Sequence, residues 1–128
     1  MTMERRLREV ELLRQRYSRV EHGSDLDWLM FKDFPLPSGW DRGSTDILVL
    51  IPPGYPETPP DNFYVPNGLR LQSNTVPGNF AEGQEVLGAS WAQFSYHAET
   101  WTPTHDLWNG DTLVTFMTAV ERRLREAN

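Results

Sequence analysis

The sequence contains no cysteine, and that one absence removes disulfides, thiolate metal sites and thioester intermediates together. It also lacks any apolar run approaching the ~20 residues of a membrane span. The opening MTMERRLREVELL has no uninterrupted apolar segment of the kind that marks a secretion signal. The expectation is a cytoplasmic chain that neither crosses nor enters a membrane. A net charge of −6 argues against the general attraction to phosphates on which nucleic-acid binding depends. Compact metal-ligand spacing is missing too: His97, Glu99, His105 and Asp106 match no short ligand pattern. GSTDILVL runs from loop into strand without the helix N-terminus that would hold a phosphate. No metal and no cofactor are expected.

What is present points to one folded domain over residues 1–128. At this size folding buries roughly two-thirds of the extended surface, enough for a core. Hydrophobic residues at 38% and aromatics at 12% oppose disorder, while ten prolines and nine glycines predict long loops. Met3, Leu7, Val10, Leu13 and Tyr17 recur at helical spacing, so a helix runs from about Met3 to Arg16. LDWLMFKDFPLP reads as a strand with Trp28, Met30 and Phe34 on one side, TDILVLIP as a central strand, and NFYVPNGLRLQ as a shorter one. With SRVEH these make a four-stranded antiparallel meander. A long irregular loop is predicted from Ser73 to Ser90, with SWAQFSYH a short extended segment within or after it. Asn109 to Thr112 can cap a closing helix whose buried stripe is Leu113, Phe116, Met117, Val120 and Leu124. The fold class is therefore α+β: a helix, a meander, a loop and a second helix.

One stretch interrupts this order. GYPETPP follows the apolar run ILVLI, and its prolines, with fixed φ and no N–H, stop sheet pairing and make a stiff extended crossing. Tyr55, Pro56, Pro59 and Pro60 after the third strand, then Trp101 and Pro103 before the last helix, resemble the motifs of the ubiquitin-conjugating (E2, UBC-like) superfamily. The chain is most similar to the small prokaryotic E2 family E proteins that accompany E1-like and ubiquitin-like genes. The resemblance implies that the crossing packs near the Trp-x-Pro turn. It also implies that the first helix docks an E1-like enzyme, with Arg5, Arg6, Leu7 and Arg8 as contacts, and that a ubiquitin-like protein is a second partner. The arginines Arg5, Arg6, Arg8, Arg14, Arg16 and Arg19 near the start, and Arg122, Arg123 and Arg125 near the end, suit an acidic protein surface.

Departures from the family pattern bear on mechanism. The family's catalytic cysteine lies eight residues before the tryptophan, and here that position is Gln93, whose neutral amide is no nucleophile. VPN at 65–67 imitates the family's His-Pro-Asn in text only, and Asn67 reads as a turn residue. Glu57 replaces the apolar residue that commonly contacts E3 ligases. A single closing helix stands where eukaryotic relatives carry two more. These features imply a catalytically inactive scaffold or adaptor. A second reading keeps an enzyme: Ser95 and His97, two apart on an extended segment, project to one face, and a serine activated by histidine can carry an acyl group as an oxyester. Asp106 and Glu99 are both open as the carboxylate that would orient His97. Trp40, in PSGWDRG, is expected exposed at a hairpin tip, where it would suit an interface anchor.

Overall fold

The computed structural model describes residues 2–126; Met1, Ala127 and Asn128 lie outside them. A stretch rich in Glu, Leu, Arg and Gln, all good helix formers, makes α1 (Thr2–Arg16). Six strands follow: β1 (Val20–His22), β2 (Trp28–Pro35), β3 (Ser44–Leu50), β4 (Phe63–Val65), β5 (Phe80–Val86) and β6 (Ala89–Phe94), before α2 (Leu113–Arg125). They form one antiparallel sheet in the order β1-β2-β3-β4-β6-β5. The four-stranded meander is there, but a hairpin extends it to six strands. The segment expected to be an irregular loop folds back as β5 and β6, and β6 docks on β4.

Both helices cover one face of the sheet. Val10 and Leu13 of α1 and Phe116, Met117 and Val120 of α2 join Phe31, Ile47, Val49 and Phe94 in a single core. Each such side chain contributes about 1.5–3 kcal/mol by leaving water. The stripe expected on α1 is only half right: Met3 and Leu7 are exposed, while Arg6 and Glu9 are buried beside Val10, Leu13 and Tyr17. Those two charged residues turn inward because internal polar partners await them, described below. On β2, Trp28 and Met30 share a face but Phe34 does not join them. The pairing register shifts between Phe31 and Phe34, where Asp33 adopts φ +56, and the bulge returns Phe34 to the core.

Trp40 is buried rather than exposed at a tip. Its indole N–H donates to the Leu124 carbonyl at 3.0 Å, satisfying one of the orphan acceptors at the end of α2. Its ring meets Phe94 edge-on at 6.1 Å. The hairpin between β2 and β3 is thus folded under the closing helix instead of projecting from the molecule.

Candidate functional site

The proline crossing is held from below by a buried polar cluster. Glu9 is fully buried and accepts from Arg5 Nε at 2.7 Å, from the Leu113 backbone N–H at 2.7 Å, and from the Tyr55 hydroxyl. One carboxylate therefore ties α1 to the crossing and to the first turn of α2, where the helix dipole favours a negative charge. Burial, reinforced by the neighbouring Glu9 charge, pushes the Tyr55 hydroxyl well above its ordinary pKa, so Tyr55 stays a donor. The Arg5 guanidinium also donates to the carbonyls of Thr104 and Asp111. Arg6 donates to the carbonyls of Leu26 at 2.8 Å and Pro52 at 3.1 Å and lies over the Tyr55 ring.

Trp101 closes the crossing from the other side. Its indole N–H donates to the Pro56 carbonyl at 2.7 Å, and its ring lies 6.2 Å from that of Tyr55. Thr102 N–H bonds to the Asp111 carboxylate at 2.7 Å, and Thr112 caps α2 in a reciprocal pair with Thr115. Glu57 is exposed at the crossing's surface. Beside it a cleft of about 350 Å³ lies between α1 and the loop after Pro103, lined by Arg8, Glu57 and His105 among others.

The crossing also delivers the residues that follow it. Immediately after Pro60, Asn62 forms a two-way clamp with Tyr96: Asn62 N–H to the Tyr96 carbonyl at 2.8 Å, and Tyr96 N–H to the Asn62 side chain at 3.0 Å. Asp61 then meets the Nδ1 of His97. Tyr96 itself packs edge-on against Phe116 at 5.8 Å, which sets the segment after β6 beside α2. Between them runs a groove of about 730 Å³, with Ser95, His97 and Trp101 on one wall and Thr115, Ala119 and Arg122 on the other. Ser95 is anchored through its backbone N–H to the Asn79 carbonyl at 2.9 Å, and its side chain is exposed. Burial raises the Tyr96 hydroxyl pKa, with Arg122 drawing it back.

Several sequence expectations change here. The partner of His97 is Asp61, not Glu99 or Asp106. Asp106 instead organises its own turn, accepting from Trp108 N–H at 2.9 Å and from the Asn109 side chain at 2.6 Å. Asp61 escaped notice because it is 36 positions from His97, brought near by a crossing whose path the sequence does not spell out. Gln93 does not line the groove. It sits inside β6, opposite Tyr64 and Ala81, between two fully buried neighbours, Ala92 and Phe94, that face the helix-covered core. Alternation therefore turns Gln93 to the opposite face of the sheet. A count of eight back from Trp101 assumes a chain path that the β5–β6 hairpin does not follow. Asn67 does lie in the turn after β4, but its side chain reaches across to the β5–β6 hairpin, donating to the Ser90 hydroxyl and accepting from Gly83 N–H. Of the α1 residues, Arg5 and Arg6 are engaged internally, while Leu7 and Arg8 are exposed. Among the described residues no three His, Asp or Glu side chains gather as a metal site, and no helix is long and apolar enough to cross a membrane.

The model of one protein family, prokaryotic E2 family E, matches residues 5–127, nearly the whole chain, and the chain belongs to that family. No curated protein and no solved structure matches it.

Proposed function

We propose that this member of prokaryotic E2 family E is a noncovalent adaptor in a bacterial ubiquitin-like conjugation system, docking an E1-like enzyme, a ubiquitin-like protein, or both. Family membership supports the conjugation setting. The observation that carries the adaptor reading is chemical: the sequence offers no thiol, so a thioester cannot form on it. Gln93, whose backbone pairs with β4 and β5, carries only a neutral amide and supplies no substitute nucleophile. The docking face is the outward side of α1, where Leu7 is 47% and Met3 41% exposed beside Arg8. Apolar contact there supplies affinity and the arginine steers an acidic partner.

Co-purification with an E1-like protein is the test. Leu7→Ala combined with Arg8→Glu is expected to weaken the complex about tenfold or more, the scale of a lost interface anchor, with the intact chain's affinity falling as salt rises. Arg5 and Arg6 are unsuitable for this test, since their replacement disturbs the fold itself. Unchanged binding by the double variant would remove α1 as the docking face.

A second reading rests on the Asp61–His97 pair beside Ser95 at the groove. With Nδ1 facing Asp61, His97 Nε2 is left to take the hydroxyl proton as Ser95 Oγ attacks the activated carboxyl terminus of a ubiquitin-like protein. The new ester C–O bond forms as the bond to the activating group breaks, and the leaving group departs. Incubation with the E1-like enzyme, the ubiquitin-like protein and ATP would then yield a hydroxylamine-labile adduct that is lost in Ser95→Ala. A stable complex without any adduct, unaffected by Ser95→Ala and His97→Ala, supports the adaptor.

A further inference from the structure

Of the 12 basic residues, 11 are arginine, and Lys32 is the one lysine. In a conjugation setting this difference is chemical, because an ε-amine attacks an activated carboxyl group to form an isopeptide while a guanidinium, always protonated, does not. The single amine is also restrained. Lys32 Nζ lies 3.0 Å from Asp46 Oδ2, with both side chains only about a third exposed, at 32% and 29%. Asp46 is itself oriented for this role: its Oδ1 accepts the Asp33 backbone N–H at 3.2 Å. That N–H reaches it because of the bulge in β2, where Asp33 adopts φ +56. The ammonium is therefore held by a carboxylate that the backbone has already fixed, unlike a pair of two freely moving surface chains.

We infer that Lys32 is the one side-chain amine through which this chain can be joined by an isopeptide bond, and that Asp46 holds it back, so that the protein handles activated carboxyl termini without becoming their amide-linked substrate. Arginine elsewhere keeps positive charge on the surface without presenting a nucleophile. The step restrained is attack by the lysine nitrogen, once its ammonium has given a proton to solvent, on the carbonyl carbon of an activated carboxyl group: a C–N bond forms, the bond from that carbon to its activating group breaks and the activating group leaves, and the second amine proton passes to solvent. The biological purpose rests on the conjugation role proposed above, but the restraint itself does not.

Two arms separate these. In the first, the folded full-length protein is treated at neutral pH with an N-hydroxysuccinimide acetate ester, an amine-selective active ester, and acetylation is followed by peptide mass mapping. Asp46→Asn, which keeps an acceptor for the Asp33 N–H, is expected to accelerate acetylation of Lys32 about two- to fivefold, the scale of a well-oriented surface ion pair. In a second variant, Arg125→Lys, the amine introduced on the exposed last turn of α2 is expected to react faster than Lys32 by a similar factor. Equal rates in both comparisons overturn the restraint, whatever the fate of the family reading. In the second arm the E1-like enzyme, the ubiquitin-like protein and ATP are added. Hydroxylamine-resistant adduct is expected to be scarce on the unaltered chain, raised in Asp46→Asn and absent in Lys32→Arg. Abundant adduct on the unaltered chain, or none on Asp46→Asn despite a formed complex, overturns the biological purpose. Failure to form any complex instead counts against the proposed function and leaves the first arm's result standing.

Discussion

Glu9 shows how much one side chain can decide. It carries a buried negative charge that three donors satisfy, one each from α1, the proline crossing and the start of α2. Glu9→Ala leaves the Leu113 N–H and the Tyr55 hydroxyl without their acceptor and the Arg5 guanidinium with only carbonyl partners. A loss of about 3–5 kcal/mol is expected, the usual cost of removing one partner of a buried charged group, readable as a lower denaturant midpoint. Glu82 lies at the surface instead. Its carboxyl is held below its ordinary 4.5 by the hydrogen bond from Arg70 and then by the Gly68 N–H. Because the folded-state pKa is depressed, this contribution is fully present above pH 4.5 and is lost as pH falls through the lower folded value. Protection of the β5 amides, measured relative to their intrinsic exchange rates at each pH, should therefore fall in acid below that point, and Glu82→Gln should remove that fall.

At the scale of elements, two short turns govern the candidate site. Leu87 and Gly88 both have positive φ, at 51 and 79, the geometry of a type I′ hairpin turn that normally selects Asn-Gly. Leucine there is strained and 60% exposed. Leu87→Asn should stabilise the β5–β6 hairpin by about 1 kcal/mol, seen as a rise in melting temperature. The same unusual residue hid the hairpin from sequence reading, since neither Leu-Gly nor the polar FAEGQEV carries a strand or turn signal. The other turn precedes α2. A Cβ added at Gly110 would lie 2.7 Å from the Thr104 backbone nitrogen, so Gly110→Ala must displace the loop that carries Trp101 and Thr102. A cost of about 1–3 kcal/mol is expected. If the groove beside α2 binds a partner, affinity should fall along with stability, whereas a purely structural loop would change stability alone.

For the whole molecule, the crossing explains why a chain spends its prolines between the third and fourth strands. Stiffness from Pro56 to Pro60 fixes where Asp61 and Asn62 emerge, and those two residues grip Tyr96 and His97 across the fold. Trp101 locks the other end to the Pro56 carbonyl. The groove is thus assembled from three separate stretches of chain. Its wall is only as well ordered as the crossing, so Trp101→Ala should loosen the segment from Ser95 to Trp101, measurable as lost exchange protection at Tyr96, before it melts the sheet.

The two helices, the four-stranded meander, the family motifs and the missing thiol could all be read from the sequence, because local periodicity, proline chemistry and composition are written residue by residue. The match over residues 5–127 agrees with those motifs. Contacts between distant positions had to wait for three dimensions. Burial of Arg6 and Glu9 on the helix face, the turn of Trp40 under α2, the pairing of Asp61 with His97 and the outward placement of Gln93 each depend on which element lies opposite. No local pattern encodes that, because a polar side chain turns inward only when its partner, supplied from elsewhere in the chain, repays the loss of water.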